Sequence, residues 1–136
     1  EKILGTAREI TEGKIIAVFG CGGDRDRMKR PIMGSIAAEH ADISIVTSDN
    51  PRTEDPEKII EDVVVGVEKV KKNKPDLYYE VIADRRQAIK RAVSLAKDDD
   101  IVIIAGKGHE DYQILKDRTI HFDDREEARN ALKEVK

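Results

Sequence analysis

Ile43-Ser44-Ile45-Val46-Thr47, then Asp49-Asn50-Pro51-Arg52, then Asp55-Pro56 ahead of the stripe Ile59, Ile60, Val63, Val64, Val67 and Val70: these residues decide the fold. The short β-branched run, beginning after Ala41, reads as a strand over 42–47. It stops on acid, amide, proline and arginine, a combination that makes turns and delivers polar groups to an edge. Asp55 followed by Pro56 is a helix N-cap with proline at the first helical position. The apolar stripe recurs at period 3.6, which outweighs the strand preference of Val63-Val64-Val65. Lys71-Lys72-Asn73-Lys74-Pro75 then supplies cations and a proline stop, the expected end of a helix.

The same unit repeats on either side. Upstream, Ile15-Ile16-Ala17-Val18-Phe19 runs into Gly20-Cys21-Gly22-Gly23-Asp24-Arg25-Asp26, and a helix follows with Pro31 at its first position and Ile32, Met33, Ile36, Ala37 and His40 on helical spacing. Downstream, Tyr78 to Ala83 predicts a short strand. Asp84 caps the next helix, with Gln87 placed for a capping box and Ile89, Ala92, Val93 and Ala96 facing the core. Ile101-Val102-Ile103-Ile104-Ala105 is continuously apolar, which predicts a central strand buried on both faces. Tyr112 to Leu115 and Arg118 to Phe122 read as a hairpin at the sheet edge, and Asp123 with Glu126 caps a last helix carrying Ala128, Ala131, Leu132 and Val135. The alternation predicts a three-layer, Rossmann-like α/β domain with a mixed, mostly parallel sheet of about six strands and a C-terminal edge hairpin.

At 136 residues, this is one domain with a substantial core. Lys and Arg number 25 against 28 Asp and Glu, a net charge of −3, so no broad basic face for nucleic acid is implied. The longest apolar runs are about five residues, too short to span a membrane. One cysteine excludes an internal disulfide and fits a reducing, cytoplasmic setting. The chain starts at Glu1, and Ile3, Leu4, Ala7 and Ile10 read as the tail of a helix already under way, so residues 1–13 are expected to belong to a linker helix of a longer protein.

Three strand ends carry chemistry. The glycines after Phe19 do not complete a dinucleotide fingerprint, because the third position is Arg25, and no P-loop pattern occurs. They read either as a tight turn needing glycine, or as backbone N–H groups approaching a ligand with Asp24, Arg25 and Asp26 in the cleft. Asp49-Asn50-Pro51-Arg52 alone is an ordinary turn, and so is Gly106-Lys107-Gly108-His109-Glu110. Together they place Arg forks and carboxylates at neighbouring strand ends, where ligands of open parallel sheets bind. A fork for a carboxylate beside acceptors for an ammonium describes a zwitterionic amino acid better than a phosphate. Cys21, with no histidine near it in sequence, reads as a packing residue, and the three histidines show no metal spacing.

Phe19 to Asp26, followed by Lys29-Arg30-Pro31-Ile32-Met33-Gly34, resembles the C-terminal domain of the Mur ligase family. Asp49-Asn50-Pro51-Arg52 is similar to the recognition tetrapeptide of its meso-diaminopimelate-adding members, and Gly106 to Gln113 to another family block. The resemblance covers nearly the whole chain. It implies that diaminopimelate lies against Arg25, Asp49, Asn50, Pro51, Arg52, Gly106 and Glu110, with Arg52 on the distal carboxylate and Glu110 on the distal ammonium. It also implies Asp24 on the nucleotide side. The implied reaction passes the γ-phosphate of ATP to the D-Glu carboxylate of UDP-N-acetylmuramoyl-L-Ala-D-Glu, and the diaminopimelate amine attacks the acyl phosphate. ATP and Mg2+ would be held mainly by a central domain not in this sequence, as would the nucleotide-linked dipeptide, so the chain alone is expected not to turn over. Two alternatives stay open: a ligase of this type adding another third residue such as L-lysine, and an amino-acid-binding domain without catalysis.

Overall fold

A computed structural model describes residues 13–23, 27–97, 99–105, 112–114, 119–121 and 124–135. Four strands, β1 (Ile15–Phe19), β2 (Ile43–Val46), β3 (Tyr78–Val81) and β4 (Ile101–Ile104), form one sheet in the order β3-β2-β1-β4. All three pairings are parallel, with Val18 opposite Ile45 on one side and Ile104 on the other. Helices α1 (Lys29–His40), α2 (Pro56–Asn73) and α3 (Arg85–Leu95) connect successive strands, and α4 (Asp124–Val135) follows.

The two sides of β1 separate two cores, as the period of 2 along a strand requires. Ile15, Ala17 and Phe19 pack with Ala37 and Ala38 of α1 and Ile59, Ile60, Val63 and Val67 of α2. Ile16 and Val18 pack with Ile43, Ile45, Ala88, Ile89 and Ala92, and with Ala131 of α4. This is the three-layer α/β arrangement the alternation predicts.

The predicted caps hold. Asp55 accepts from the Glu57 amide at 2.9 Å ahead of Pro56, and Asp84 accepts from the Gln87 amide at 3.2 Å. The lysines closing α2 do more than satisfy its dipole. Lys71 donates to the Leu77 carbonyl at 2.6 Å, and Lys74 reaches across to carbonyls at the end of α1, Ala41 at 2.8 Å among them. The predicted linker helix at the N-terminus and the cap Asp123 lie outside the described residues.

Three expectations need correction. The parallel sheet has four strands rather than about six, because the hairpin of β5 (Tyr112–Ile114) and β6 (Thr119–His121) pairs antiparallel as its own two-stranded sheet. Strand β4 is not central: it ends the four-stranded sheet and is half-buried, whereas β1 and β2 are buried throughout. Its uninterrupted apolar run reflects helices on both faces, which the end strand of a doubly wound sheet shares with its middle. Helix α1 begins two residues earlier than Pro31 predicts and buries Arg30, Gly34, Ala37 and Ala38, leaving Ile32 and Met33 exposed.

That rotation of α1 follows from how closely α2 approaches it. A Cβ added at Gly66 of α2 would lie 1.8 Å from the Pro31 carbonyl oxygen, and Ser35 Oγ already donates to the Gly66 carbonyl at 3.1 Å. Only a residue without a side chain lets the helix backbones meet there. Gly66→Ala should gain about 1 kcal/mol of helix propensity. Overpacking against backbone this close should cost about 3 kcal/mol, the upper end of the usual range, for a net loss near 2 kcal/mol. Urea unfolding should show that loss, while Val65→Ala, exposed on the same helix, should stay within about 0.5 kcal/mol.

Candidate functional site

In the order β3-β2-β1-β4 the chain runs one way from β1 to β3 and then crosses back to the far side of β1 for β4. The crevice outside the carboxyl ends of β1 and β4 is therefore the topological switch point, where open α/β sheets bind ligands. The three clusters follow β1, β2 and β4, adjacent and parallel strands, so the fold brings their starting points to one edge.

The loops after β1 and β2 are built against each other. The Gly23 amide donates to the Asn50 carbonyl at 2.7 Å, and a Cβ at Gly23 would lie 1.8 Å from the Pro51 carbonyl oxygen. Glycine is needed there for backbone approach to the neighbouring loop, and that amide is already taken. Asp49, Asn50 and Pro51 are buried. Arg52 is half-buried and is the one residue other than glycine, among those described, with a positive φ, 54°. Its Nη1 donates to the Gly23 carbonyl at 3.0 Å and to the Asn50 carbonyl at 3.3 Å. A left-handed backbone costs an arginine about 1–2 kcal/mol. It persists because the guanidinium is tied over the ends of both strands. Asp24, Arg25, Gly106 and Glu110 lie outside the described residues.

Two buried arginines that the sequence reading assigned no role organise this edge. Arg30 Nη2 donates to the Gly22 carbonyl at 3.2 Å and to Glu54 Oε2 at 2.8 Å, while Nη1 donates to Glu54 Oε1 at 3.1 Å and Asp62 Oδ2 at 3.0 Å. It thereby joins the loop after β1, the loop after β2 and α2. Arg85 pairs with Asp124 in a two-pronged contact, Nε to Oδ1 at 2.8 Å and Nη2 to Oδ2 at 2.7 Å. A signal for both was present: each sits in the first turn of a helix with no acidic residue in that turn, the end where a dipole disfavours a cation.

Cys21 lies under this network, buried, with Sγ 3.8 Å from Met33 Sδ. Burial pushes its thiol up to about 11, Arg30 opposing and Asp49 and Asp62 adding to the rise. It is a neutral packing group at physiological pH, not a nucleophile.

The chain matches the family described as "Mur ligase, glutamate ligase domain" over residues 1–108. A UDP-N-acetylmuramoyl-L-alanyl-D-glutamate--2,6-diaminopimelate ligase of Clostridium botulinum is 56% identical over 99% of this chain and 26% of its own length. The protein of that name from Thermosynechococcus vestitus is 59% identical over 98% of this chain and 26% of its own. A solved structure of a protein so named superposes with a TM-score of 0.90 at 45% identity, over 98% of this chain and 26% of that one. An α/β domain with its polar groups gathered at one strand-end edge is the class; the chain belongs to the Mur ligase family, as its C-terminal domain. It spans about a quarter of the length of these relatives.

Burial raises the Asp62 carboxyl, but hydrogen bonds from Arg30 and Arg27 outweigh it and hold the group below its ordinary value. A depressed folded pKa gives stability that is complete above the unfolded pKa near 4 and lost as pH falls through the folded value. The urea midpoint should therefore be flat from about pH 7 to 5 and fall below about pH 4. In Asp62→Asn the midpoint should be lower at pH 7 and the acid decline shallower. Among the described residues, Glu80, lowered chiefly by Arg91, and Asp100, lowered by the Lys14 and Lys97 amides, contribute to the remaining slope.

Proposed function

We propose that this chain is the amino-acid-binding domain of a MurE-type ligase, residues 1–136 forming its C-terminal domain, which adds meso-diaminopimelate to UDP-N-acetylmuramoyl-L-Ala-D-Glu at the expense of ATP. The observation that carries the reading is Arg52: a strained backbone presenting a half-buried guanidinium at the end of a parallel strand. Strain of this kind collects at functional sites. Nη1 is held by two carbonyls, and among the described residues no acceptor takes the protons of Nε or Nη2. A planar fork fixed on one side and open on the other suits a carboxylate.

Diaminopimelate is lysine with a carboxylate on its far carbon, so the fork is paired with one substrate and unpaired with the other. A site built to bond a group rejects the analogue lacking it by roughly 10⁴–10⁵-fold. Asp49 and Asn50 line the base of the same turn, and Arg25, Gly106 and Glu110 complete the pocket by family resemblance, Glu110 taking the distal ammonium. The names of the relatives support diaminopimelate over L-lysine.

Bound ATP supplies the phosphoryl group that activates the acceptor carboxylate, and this chain's part is to hold and orient the attacking amino acid. Mg2+ would travel with the ATP phosphates, which a magnesium ion meets through one or two carboxylates and waters. ATP, Mg2+ and the nucleotide-linked dipeptide fall to other parts of the ligase, with Asp24 the candidate on the nucleotide side. Among the described residues no helix is long and apolar enough to cross a membrane. A cytoplasmic location belongs to this reading, since ATP and a nucleotide-linked precursor are its substrates.

In the full-length enzyme, kcat/KM should favour diaminopimelate over L-lysine strongly. Arg52→Ala should lower the value for diaminopimelate by roughly 10- to 150-fold, the loss of about 1.5–3 kcal/mol expected for a charge-assisted bond. The value for L-lysine should rise, because its distal end no longer leaves a guanidinium unpaired, so the preference between the two amino acids collapses. Equal values for the two amino acids in the unaltered enzyme would sink the assignment.

A further inference from the structure

Arg85 opens α3 and Asp124 opens α4, and both side chains are buried. Besides its two-pronged contact with Asp124, the guanidinium donates from Nη1 to the Ser48 carbonyl at 3.2 Å and from Nη2 to the Ala105 carbonyl at 3.0 Å. Ser48 immediately precedes Asp49-Asn50-Pro51-Arg52, and Ala105 is the first residue after β4. Strands β2 and β4 do not pair, because β1 lies between them. The sheet therefore sets each strand end against β1, and the arginine links the two ends that the ladder leaves unlinked. A lysine could not do this, since the link needs a planar fork whose separate nitrogens reach separate acceptors.

We propose that Arg85, locked by Asp124, is a positioning residue of the amino-acid pocket: it fixes the separation between the segments leaving β2 and β4, and with it the place at which Arg52 meets the substrate. The proposal rests on the reading of Arg52 as the substrate arm. It also gives α4 a part in substrate recognition. Asp124 lies past residue 108, where the match to the family description ends.

Two measurements test it. In the full-length ligase, Asp124→Asn and Arg85→Lys should each raise KM for diaminopimelate at least roughly tenfold and erode the preference over L-lysine, as expected when an oriented charge-assisted contact is misplaced. KM for ATP and for the nucleotide-linked substrate should hold within about twofold, a split that a general loss of folded enzyme does not produce. Equal changes in every KM, or a fall in kcat alone, would overturn the proposal. On the 136-residue chain, amide hydrogen exchange should quicken at residues 47–50, Arg52 and Ala105 while the β1 amides of Ile16–Phe19 keep their protection. Unchanged exchange at those positions, or an even rise that includes β1, would also overturn it. Should Arg85→Lys fail to fold, Asp124→Asn, uncharged and of the same size, yields both readouts. An unaltered enzyme indifferent to diaminopimelate would count against the substrate assignment alone, because the exchange measurement contains no substrate.

Discussion

Strand β1 has neither an open face nor an open edge, and the rest of the domain is arranged by that constraint. Its side chains from Ile15 to Phe19 are buried, and its backbone is paired with β2 on one side and β4 on the other. Burying five consecutive apolar residues is worth several kcal/mol even on conservative area terms. It is possible only if helices cover both faces and strands cover both edges. Parallel pairing then forces the loops after β1, β2 and β4 to emerge at a common edge. Whatever this domain binds there, the location is a consequence of how its central strand is buried.

An edge that gathers three loops gathers their unpaired backbone groups as well. Carbonyls of Gly22, Ser48 and Ala105 lie beyond the ladders, and a group of this kind that is buried without a partner, as the Ser48 carbonyl would be, costs about 1–3 kcal/mol. Arg30 and Arg85 satisfy them while tying separate loops together. Each guanidinium is itself neutralised by carboxylates, Glu54 and Asp62 for one and Asp124 for the other. Buried charge is tolerable on those terms, since the pair geometry is good and most protons find acceptors. Arg30 Nε is the exception, buried with no hydrogen-bond partner, and too deep to meet a ligand.

The layers, the caps Asp55 and Asp84, and the strand that stops ahead of Asp49-Asn50-Pro51-Arg52 were legible in the sequence because each has a local cause. Asp55-Pro56 caps a helix wherever it lies, and a strand of alternating destinations reads the same before and after folding. Sheet order is different. The run Ile101–Ile104 is compatible with the middle or the end of a doubly wound sheet, and only pairing decides which. The buried face of α1 was hidden for a related reason: small residues, Gly34, Ala37 and Ala38, face α2 and β1, so apolar size points the wrong way. Arg30 and Arg85 were missed because arginine in a helix reads as surface. Their position in a first turn, against the dipole and without a local acid, is the clue that each has a distant partner.

The same comparison separates the arginines by role. Arg30 and Arg85 are enclosed, and their charges are matched by protein carboxylates, so a substrate carboxylate would have to displace those partners to reach them. Arg52 keeps part of its surface in solvent and is held by neutral carbonyls, with no carboxylate partner among the described residues. A cation fixed in place but not neutralised is preorganised for an anion, because the orientation is already set before the ligand arrives. The buried pairs thus serve the loops, and in the proposed reading their saturation leaves the ligand to Arg52.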